Sequence, residues 1–133
     1  MGDASEPLAA VRDRVVIGAS AGGVAALRTI ASQLPADFPA AVLVVLHIGT
    51  YPSRLPRILD AVGPNPAQVA VDGERLQPGR ILVAQSDHHL IVEGDVVRLH
   101  RGPKEHHSRP AIDPLFRSAA LAAGPRVIGV VLS

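Results

Sequence analysis

Two apolar segments near the start of the chain flank a helical pattern. The run RVVIGA at Arg14–Ala19 predicts a buried strand, and AAVLVVLHI at Ala40–Ile48 predicts a second one. Between them, apolar residues recur every three or four positions over Val24–Leu34, as on one face of a helix, and Pro35 ends the pattern. A strand, a helix and a strand within roughly 35 residues form a βαβ unit, which predicts a parallel sheet with a right-handed crossover.

The middle of the chain has a different pattern of apolar and turn residues. Ser53–Val62 predicts another helix, which Pro56 interrupts early. Residues 67–102 then alternate short apolar runs with Asp-Gly, Pro-Gly and Glu-Gly-Asp turns. That alternation is typical of antiparallel strands, with at least one hairpin whose turn contains Gly94.

Helical spacing returns at Asp113–Gly124. Asp113 is the predicted N-cap, Pro114 occupies the first turn and Gly124 is the C-cap. The run RVIGVVLS at Arg126–Ser133 predicts a third buried strand of the parallel type, at which the chain ends. We therefore expect one compact α/β domain over residues 14–133, after a disordered lead-in of residues 1–13.

The composition narrows the class of protein. Apolar residues make up 47% of the 133 residues and aromatic residues only 2%, so the chain is expected to be ordered around Val, Leu, Ile and Ala. A net charge of +1 gives no reason to expect nucleic acid or an anionic membrane as a partner. The chain has no Cys, which excludes disulfides, thiolate metal sites and a cysteine nucleophile.

Neither a membrane span nor a secretion signal is visible in the sequence. No apolar run approaches the ~20 residues that cross a bilayer. The first 14 residues lack the basic start and long apolar centre of a signal peptide. A cytoplasmic protein without membrane insertion is the expectation.

The turn after the first strand, Gly18-Ala19-Ser20-Ala21-Gly22, admits three interpretations. A dinucleotide-binding loop needs a glycine where Ser20 stands, and a P-loop needs a Gly-Lys-Ser/Thr that is absent. A purely structural turn with Ser20 as helix N-cap remains open. The third is a nucleophile turn, because the five residues fit Gly-x-Ser-x-Gly between a strand and a helix, whose amino terminus can stabilise an oxyanion.

A nucleophilic serine needs a base, and His47 is placed to supply one. It ends the second predicted strand, and adjacent parallel strands end side by side about 5 Å apart. A lone His at a strand end is usually an ordinary polar terminus; its pairing with Ser20 favours catalysis. In α/β-hydrolases the order is Ser, Asp, His with the His far downstream, so the chain is not a lipase-type hydrolase.

At this point the sequence resembles a known family. Five segments occur in the family's order between Arg14 and Ser133: SAGG after a buried strand, LH at the end of the second strand, DGERLQPGRILVAQSDHHLIV, RGPKEHHSRPAIDPLFRSAA and GVVLS. Together they resemble the catalytic domain of CheB-type protein-glutamate methylesterases.

The resemblance implies a doubly wound α/β domain, Rossmann-like, with a mostly parallel sheet and an antiparallel hairpin. It implies hydrolysis of γ-glutamyl methyl esters on the cytoplasmic helices of chemoreceptors, often with deamidation of glutamines, and no metal or organic cofactor. Ser20 matches the family's nucleophile and His47 its general base. The amides around Ala21 and Gly22 fall where we expect an oxyanion site.

Two departures from the family pattern stand out. The family's triad aspartate follows the GVVLS strand, and this sequence ends at Ser133, so we expect a domain incomplete at its carboxyl end and an impaired site. Asp113 and Asp87 are the candidate replacements, but a helix cap and a Ser-Asp turn explain them sufficiently. Only 13 residues precede the first strand, so we expect no phosphorylatable receiver domain in the same chain.

Two pairs of histidines invite a metal interpretation, namely His88 with His89 and His106 with His107. Adjacent residues of a strand point to opposite faces, so neither pair can chelate as a unit, and no metal site is predicted. Arg109, beside the second pair, is a candidate contact for an acidic receptor helix, and a structural salt bridge explains it equally well.

The sequence leaves two classes of function. One is a serine methylesterase, impaired by the loss of its aspartate. The other is a catalytically inactive remnant or binding module that keeps the recognition surface of the fold. An amidohydrolase acting on small substrates is a lesser third.

Overall fold

The computed structural model describes residues 11–47 and 54–133. Most of the predicted lead-in lies outside these ranges, as do Ile48 and Ser53, which were placed at the ends of a predicted strand and a predicted helix.

The described residues form seven strands and three α-helices. In chain order these are β1 (Arg14–Ala19), α1 (Val24–Gln33), β2 (Ala41–Leu46), α2 (Leu55–Val62), β3 (Ala67–Val69), β4 (Ile81–Val83), β5 (His89–Glu93), β6 (Val96–His100), α3 (Ile112–Ala123) and β7 (Val127–Leu132). Short 3₁₀ turns, Ala21–Gly23 and Gly124–Arg126, precede α1 and β7.

Five of the strands form one parallel sheet in the order β3-β4-β2-β1-β7. The predicted βαβ unit is confirmed, with β1 and β2 as direct neighbours. β5 and β6 form a separate antiparallel hairpin, whose turn contains Gly94 at a φ of 59°, as predicted. A positive φ at this turn suits glycine, which has no Cβ to clash.

The prediction of antiparallel strands is wrong for the start of residues 67–102. β3 and β4 are parallel members of the main sheet. The turn residues between them belong to a crossover loop, which lies along β6: Gly73 N–H donates to the Val97 carbonyl at 2.8 Å and Leu76 N–H to that of Asp95 at 2.9 Å. Turn signals mark where a strand stops, and they do not say in which direction the next strand runs.

Each face of the sheet is covered by a different layer. One face packs against α1 and α2 through Ile17, Val44 and neighbouring aliphatic residues. The opposite face packs against α3 and the hairpin, around residues such as Val16 and Leu115. Helices on both sides of a mostly parallel sheet are what a doubly wound α/β fold requires.

Two further details of the helices differ from the predictions. Pro56 does not interrupt α2, because it lies in the first turn, where the missing N–H costs no hydrogen bond. Asp113 is not the N-cap of α3: the cap position is Ala111, without a side-chain hydrogen bond, and Asp113 lies in the first turn. There its carboxylate still complements the positive end of the helix dipole. Gly124 is the C-cap, as predicted.

β7 is parallel to β1, as predicted, but it is not buried. It is the last strand of the sheet, and its side chains include Val131 at 68% exposure and Ile128 at 41%. A strand with a neighbour on one side only cannot be enclosed as β1 is.

Among the described helices, none combines the length and the apolar character that a membrane crossing demands.

Candidate active site

Ser20 and His47 follow paired residues at one edge of the sheet. Ala19 and Leu46, the last residues of β1 and β2, are register partners. The His47 N–H donates to the Ala19 carbonyl at 2.7 Å, so the pairing continues one step past the strands. This edge is formed by the carboxyl ends of parallel strands, where α/β folds place their ligands.

The residues that precede Ser20 and His47 share a face of the sheet. Ala19 and Leu46 pack into the core beneath α1 and α2. Ser20 is still extended, with φ −89° and ψ 175°, so the alternation of side chains carries through it. Ser20 therefore lies on the α3 side, and both Ser20 and His47 are half-buried.

The backbone after Ser20 offers hydrogen-bond donors. The 3₁₀ turn closes through Gly23 N–H to the Ser20 carbonyl at 2.9 Å and through Val24 N–H to that of Ala21. Within residues 11–47 and 54–133, the amides of Ala21 and Gly22 donate to no backbone oxygen, and both residues are exposed. Free amides at the start of a helix can bind a negatively charged group.

Ser20 itself is held by its backbone. Its N–H donates to the Leu132 carbonyl at the end of β7, at 3.1 Å. A Cβ on Gly23 would stand 2.8 Å from the same carbonyl oxygen, so only glycine allows this approach. The Ser20 hydroxyl makes no capping bond to the turn among the described residues, which leaves the structural-cap interpretation without its expected contact.

Helix α3 approaches the same edge of the sheet on the face opposite α1 and α2. A Cβ on Gly18 would lie 2.6–2.8 Å from three side-chain carbons of Ile112, the first residue of α3. Gly18 thus lets the start of α3 touch the strand two residues before Ser20. The glycine is needed here for close packing, a role that the Gly-x-Ser-x-Gly pattern alone does not reveal.

Arg109 lies shortly before this contact, and its side chain is 15% exposed. Its Nε donates to Asp87 Oδ1 at 2.9 Å and its Nη1 to the Gly102 carbonyl at 3.2 Å. Arg101 donates to the other oxygen of Asp87 at 2.7 Å. The hydrogen bond from Arg109, with the charges of both arginines, holds the pKa of Asp87 below its ordinary value of 3.8. Arg109 therefore forms a structural salt bridge, which was one of the two interpretations that the sequence allowed.

The other candidate carboxylate has a different environment. Asp113 is exposed, and its Oδ2 lies 3.7 Å from Nε2 of His106. Glu105, nearby, accepts two hydrogen bonds from Arg117, which lower the pKa of this carboxyl. In the described parts of the chain, no group of three or more His, Cys, Asp or Glu residues is arranged to hold a metal ion.

The two residues of the first histidine pair have separate environments. His88 is half-buried, and its Nδ1 lies 2.8 Å from the carbonyl of Ser86 in its own loop. His89 is 1% exposed, and its ring makes two hydrogen bonds with the segment that leads into α3. Sequence reasoning considered His89 as a metal ligand or as part of a loop near the site, and it missed this contact. The one signal for it was its place at the start of an apolar strand.

Comparison with known proteins identifies the family. A family model described as CheB methylesterase matches residues 15–133, nearly the whole chain. The chain belongs to the CheB methylesterase family.

Relatives of this CheB-family chain have similar names. The chain is 43% identical over 130 residues to "Protein-glutamate methylesterase/protein-glutamine glutaminase 5" of Myxococcus xanthus, with 94% of this chain and 37% of that protein covered. It is 39% identical over 134 residues to a protein of the same name, numbered 2, from Methanosarcina acetivorans, with 94% and 38% covered. The chain thus spans little more than a third of the length of these relatives.

A solved structure supports the fold. The CheB methylesterase catalytic domain of Thermotoga maritima superposes with a TM-score of 0.84 at 32% identity. The match covers 90% of this chain and 66% of that domain. The CheB catalytic fold, a mostly parallel sheet between helices with an antiparallel hairpin, is therefore present in this chain.

Proposed function

We propose that this chain acts as a protein-glutamate methylesterase, with Ser20 as nucleophile and His47 as general base. The observation that carries the proposal is the register of β1 and β2, which sets both residues one step past paired strand ends. The names of the relatives, which combine methylesterase and glutaminase, support the reaction class.

The reaction would proceed through an ester on Ser20. His47 removes the hydroxyl proton as Ser20 Oγ attacks the γ-carbonyl carbon of a methylated glutamate. The amides of Ala21 and Gly22 would stabilise the oxyanion, and its collapse releases methanol with the proton held by His47. Water, deprotonated by His47, then cleaves the glutamyl ester and restores Ser20. A glutamine substrate would follow the same path and release ammonia.

The proposed substrates are the methylated helices of chemoreceptors, which implies a cytoplasmic site of action. The two carboxylates considered as replacements for a triad aspartate are otherwise engaged: Asp87 pairs with Arg101 and Arg109, and Asp113 lies beside His106. The alternative proposal is a non-catalytic domain of the same fold.

The test is covalent labelling of Ser20 by a fluorophosphonate, followed by intact mass, beside the Ser20→Ala variant. We expect one adduct on the unsubstituted protein and none on the variant. His47→Ala should slow labelling by about 10²–10⁴-fold, because a positioned base contributes that much. Methanol release from a methylated receptor would then identify the ester as substrate. Absence of labelling at Ser20 would favour the non-catalytic domain.

A further inference from the structure

The most enclosed histidine among the described residues takes no part in the proposed reaction. His89, the first residue of β5, is 1% exposed. Its Nε2 lies 2.8 Å from the carbonyl oxygen of Pro103. The backbone N–H of Ala111 donates to its Nδ1 at 3.3 Å. One ring thus joins the start of β5 to two points of the segment 101–111 that leads into α3.

These two partners determine the protonation state of the ring. A carbonyl oxygen only accepts a hydrogen bond, so Nε2 carries a proton and donates it to Pro103. A backbone N–H only donates, so Nδ1 carries no proton and accepts from Ala111. His89 is therefore neutral and held in a single tautomer. The ring of His100, at 5.3 Å between centroids, packs beside it.

The hydrogen bond at Ala111 acts on the position where α3 begins. Ala111 is the N-cap residue of α3, and it is 2% exposed. The next residue, Ile112, is in close contact with the Cα of Gly18, two residues before Ser20. A shift of Ala111 would therefore move Ile112 away from the strand end that presents Ser20.

We propose that His89, as a neutral imidazole, is a positioning residue that holds the start of α3 against Gly18 and so fixes the backbone that presents Ser20. The inference rests on the proposed function of Ser20 as nucleophile. His89 touches no reacting atom in this arrangement; it acts through Ala111 and Ile112.

Two substitutions separate the roles of the two ring nitrogens. His89→Asn places Oδ1 where Nδ1 stands and keeps an acceptor for Ala111. His89→Gln reaches the position of Nε2 and keeps a donor for Pro103, but it leaves the buried Ala111 N–H unpaired. We expect the Asn variant to label at Ser20 within about 3-fold of the unsubstituted rate, and the Gln variant to be slower by about 10-fold or more, since small misplacements of a reacting group are costly. His88→Asn is the matched control, because His88 bonds only within its own loop among the described residues.

Nuclear magnetic resonance supplies readouts that do not depend on catalysis. The ¹⁵N shifts of His89 at neutral pH should show a protonated Nε2 and an unprotonated Nδ1. The backbone amides of Ile112 and Ser20 should shift in the Gln variant and stay in place in the Asn variant. A merely structural role, in which His89 only fills space, predicts equal effects of Asn and Gln on these amides.

The outcomes are distinct. Equal labelling rates and equal amide shifts for Asn and Gln would overturn the inference, as would a proton on Nδ1. If the unsubstituted protein does not label at all, the nucleophile proposal fails, and separated amide shifts would still establish the positioning role. If one variant does not fold, the tautomer of His89 and the Ile112 amide in the remaining variant decide.

Discussion

The contact between Gly18 and Ile112 leads to a quantitative prediction for Gly18→Ala. A methyl group on Gly18 would stand 2.6 Å from Cγ2, 2.7 Å from Cγ1 and 2.8 Å from Cδ1 of Ile112. These distances are about 1 Å shorter than the roughly 3.5 Å at which carbon atoms pack. Two of the three atoms are attached directly to the Ile112 Cβ, so a change of the outer torsion angle cannot relieve the overlap.

Either the start of α3 or the end of β1 must therefore move. Overpacking of this kind costs about 1–3 kcal/mol. At about 2–4 °C per kcal/mol, the slope for domains slightly larger than this one, we expect the melting temperature to fall by about 2–12 °C. Ser20 is two residues away, so its labelling by a fluorophosphonate should slow as well, by about 10-fold or more.

The assay is a double-mutant cycle with urea unfolding and labelling measured on the same samples. Ile112→Ala removes the three overlapping atoms, so Gly18→Ala should cost about 1–2 kcal/mol less in that background. Gly129→Ala is the matched control: it lies on the adjacent strand β7, faces the same helix and meets only the edge of the Phe116 ring at 3.2 Å. We expect Gly129→Ala to change the free energy of unfolding by less than about 1 kcal/mol. Equal losses at Gly18 and Gly129, or no coupling with Ile112, would refute the reasoning.

Three further outcomes are expected. Gly63→Ala should be the most destabilising glycine substitution, by about 3 kcal/mol or more, because its methyl group would overlap the backbone carbonyl of Ala31 in α1; an unchanged urea midpoint would contradict this. Asp87→Asn should reduce the fall of the melting temperature with decreasing pH. The folded-state pKa of Asp87 lies below 3.8, so its ion pairs stabilise the protein above that pH and are lost as the pH falls further. If the melting temperatures of the two proteins fall equally below pH 3.8, this reasoning is wrong. Val131→Lys should change the free energy of unfolding by less than about 0.5 kcal/mol, because Val131 is 68% exposed; a larger loss in urea unfolding would contradict this.

Local patterns were enough to predict much of the fold. β1 and β2 are continuous aliphatic runs, and the stripe that begins at Val24 has the period of a helix, so the βαβ unit follows from burial alone. The hairpin at Gly94 and the C-cap at Gly124 were predictable because a positive φ strongly favours glycine. Ser20 and His47 were placed together because parallel strands end at one edge.

The candidate site was predicted only in part. The pair Ser20 and His47 follows from strand order, but the engagement of Arg109 by Asp87 joins residues from different loops, which no sequence spacing fixes. The predicted cap at Asp113 is wrong because the N-cap is Ala111, two residues earlier, and the first helical residue, Ile112, packs on the distant Gly18.

The sequence by itself determined most of the strands and helices, and hence the central βαβ unit and the sheet edge that Ser20 and His47 follow. Periodicity and turn chemistry are local, and a strand or a helix is identified within a few residues. Only the tertiary structure decided that β3 and β4 are parallel, that β7 is an exposed edge and that His89 holds the start of α3. Each of these depends on which distant segment a strand or side chain meets, and contacts between distant segments are set by the packing of the whole domain.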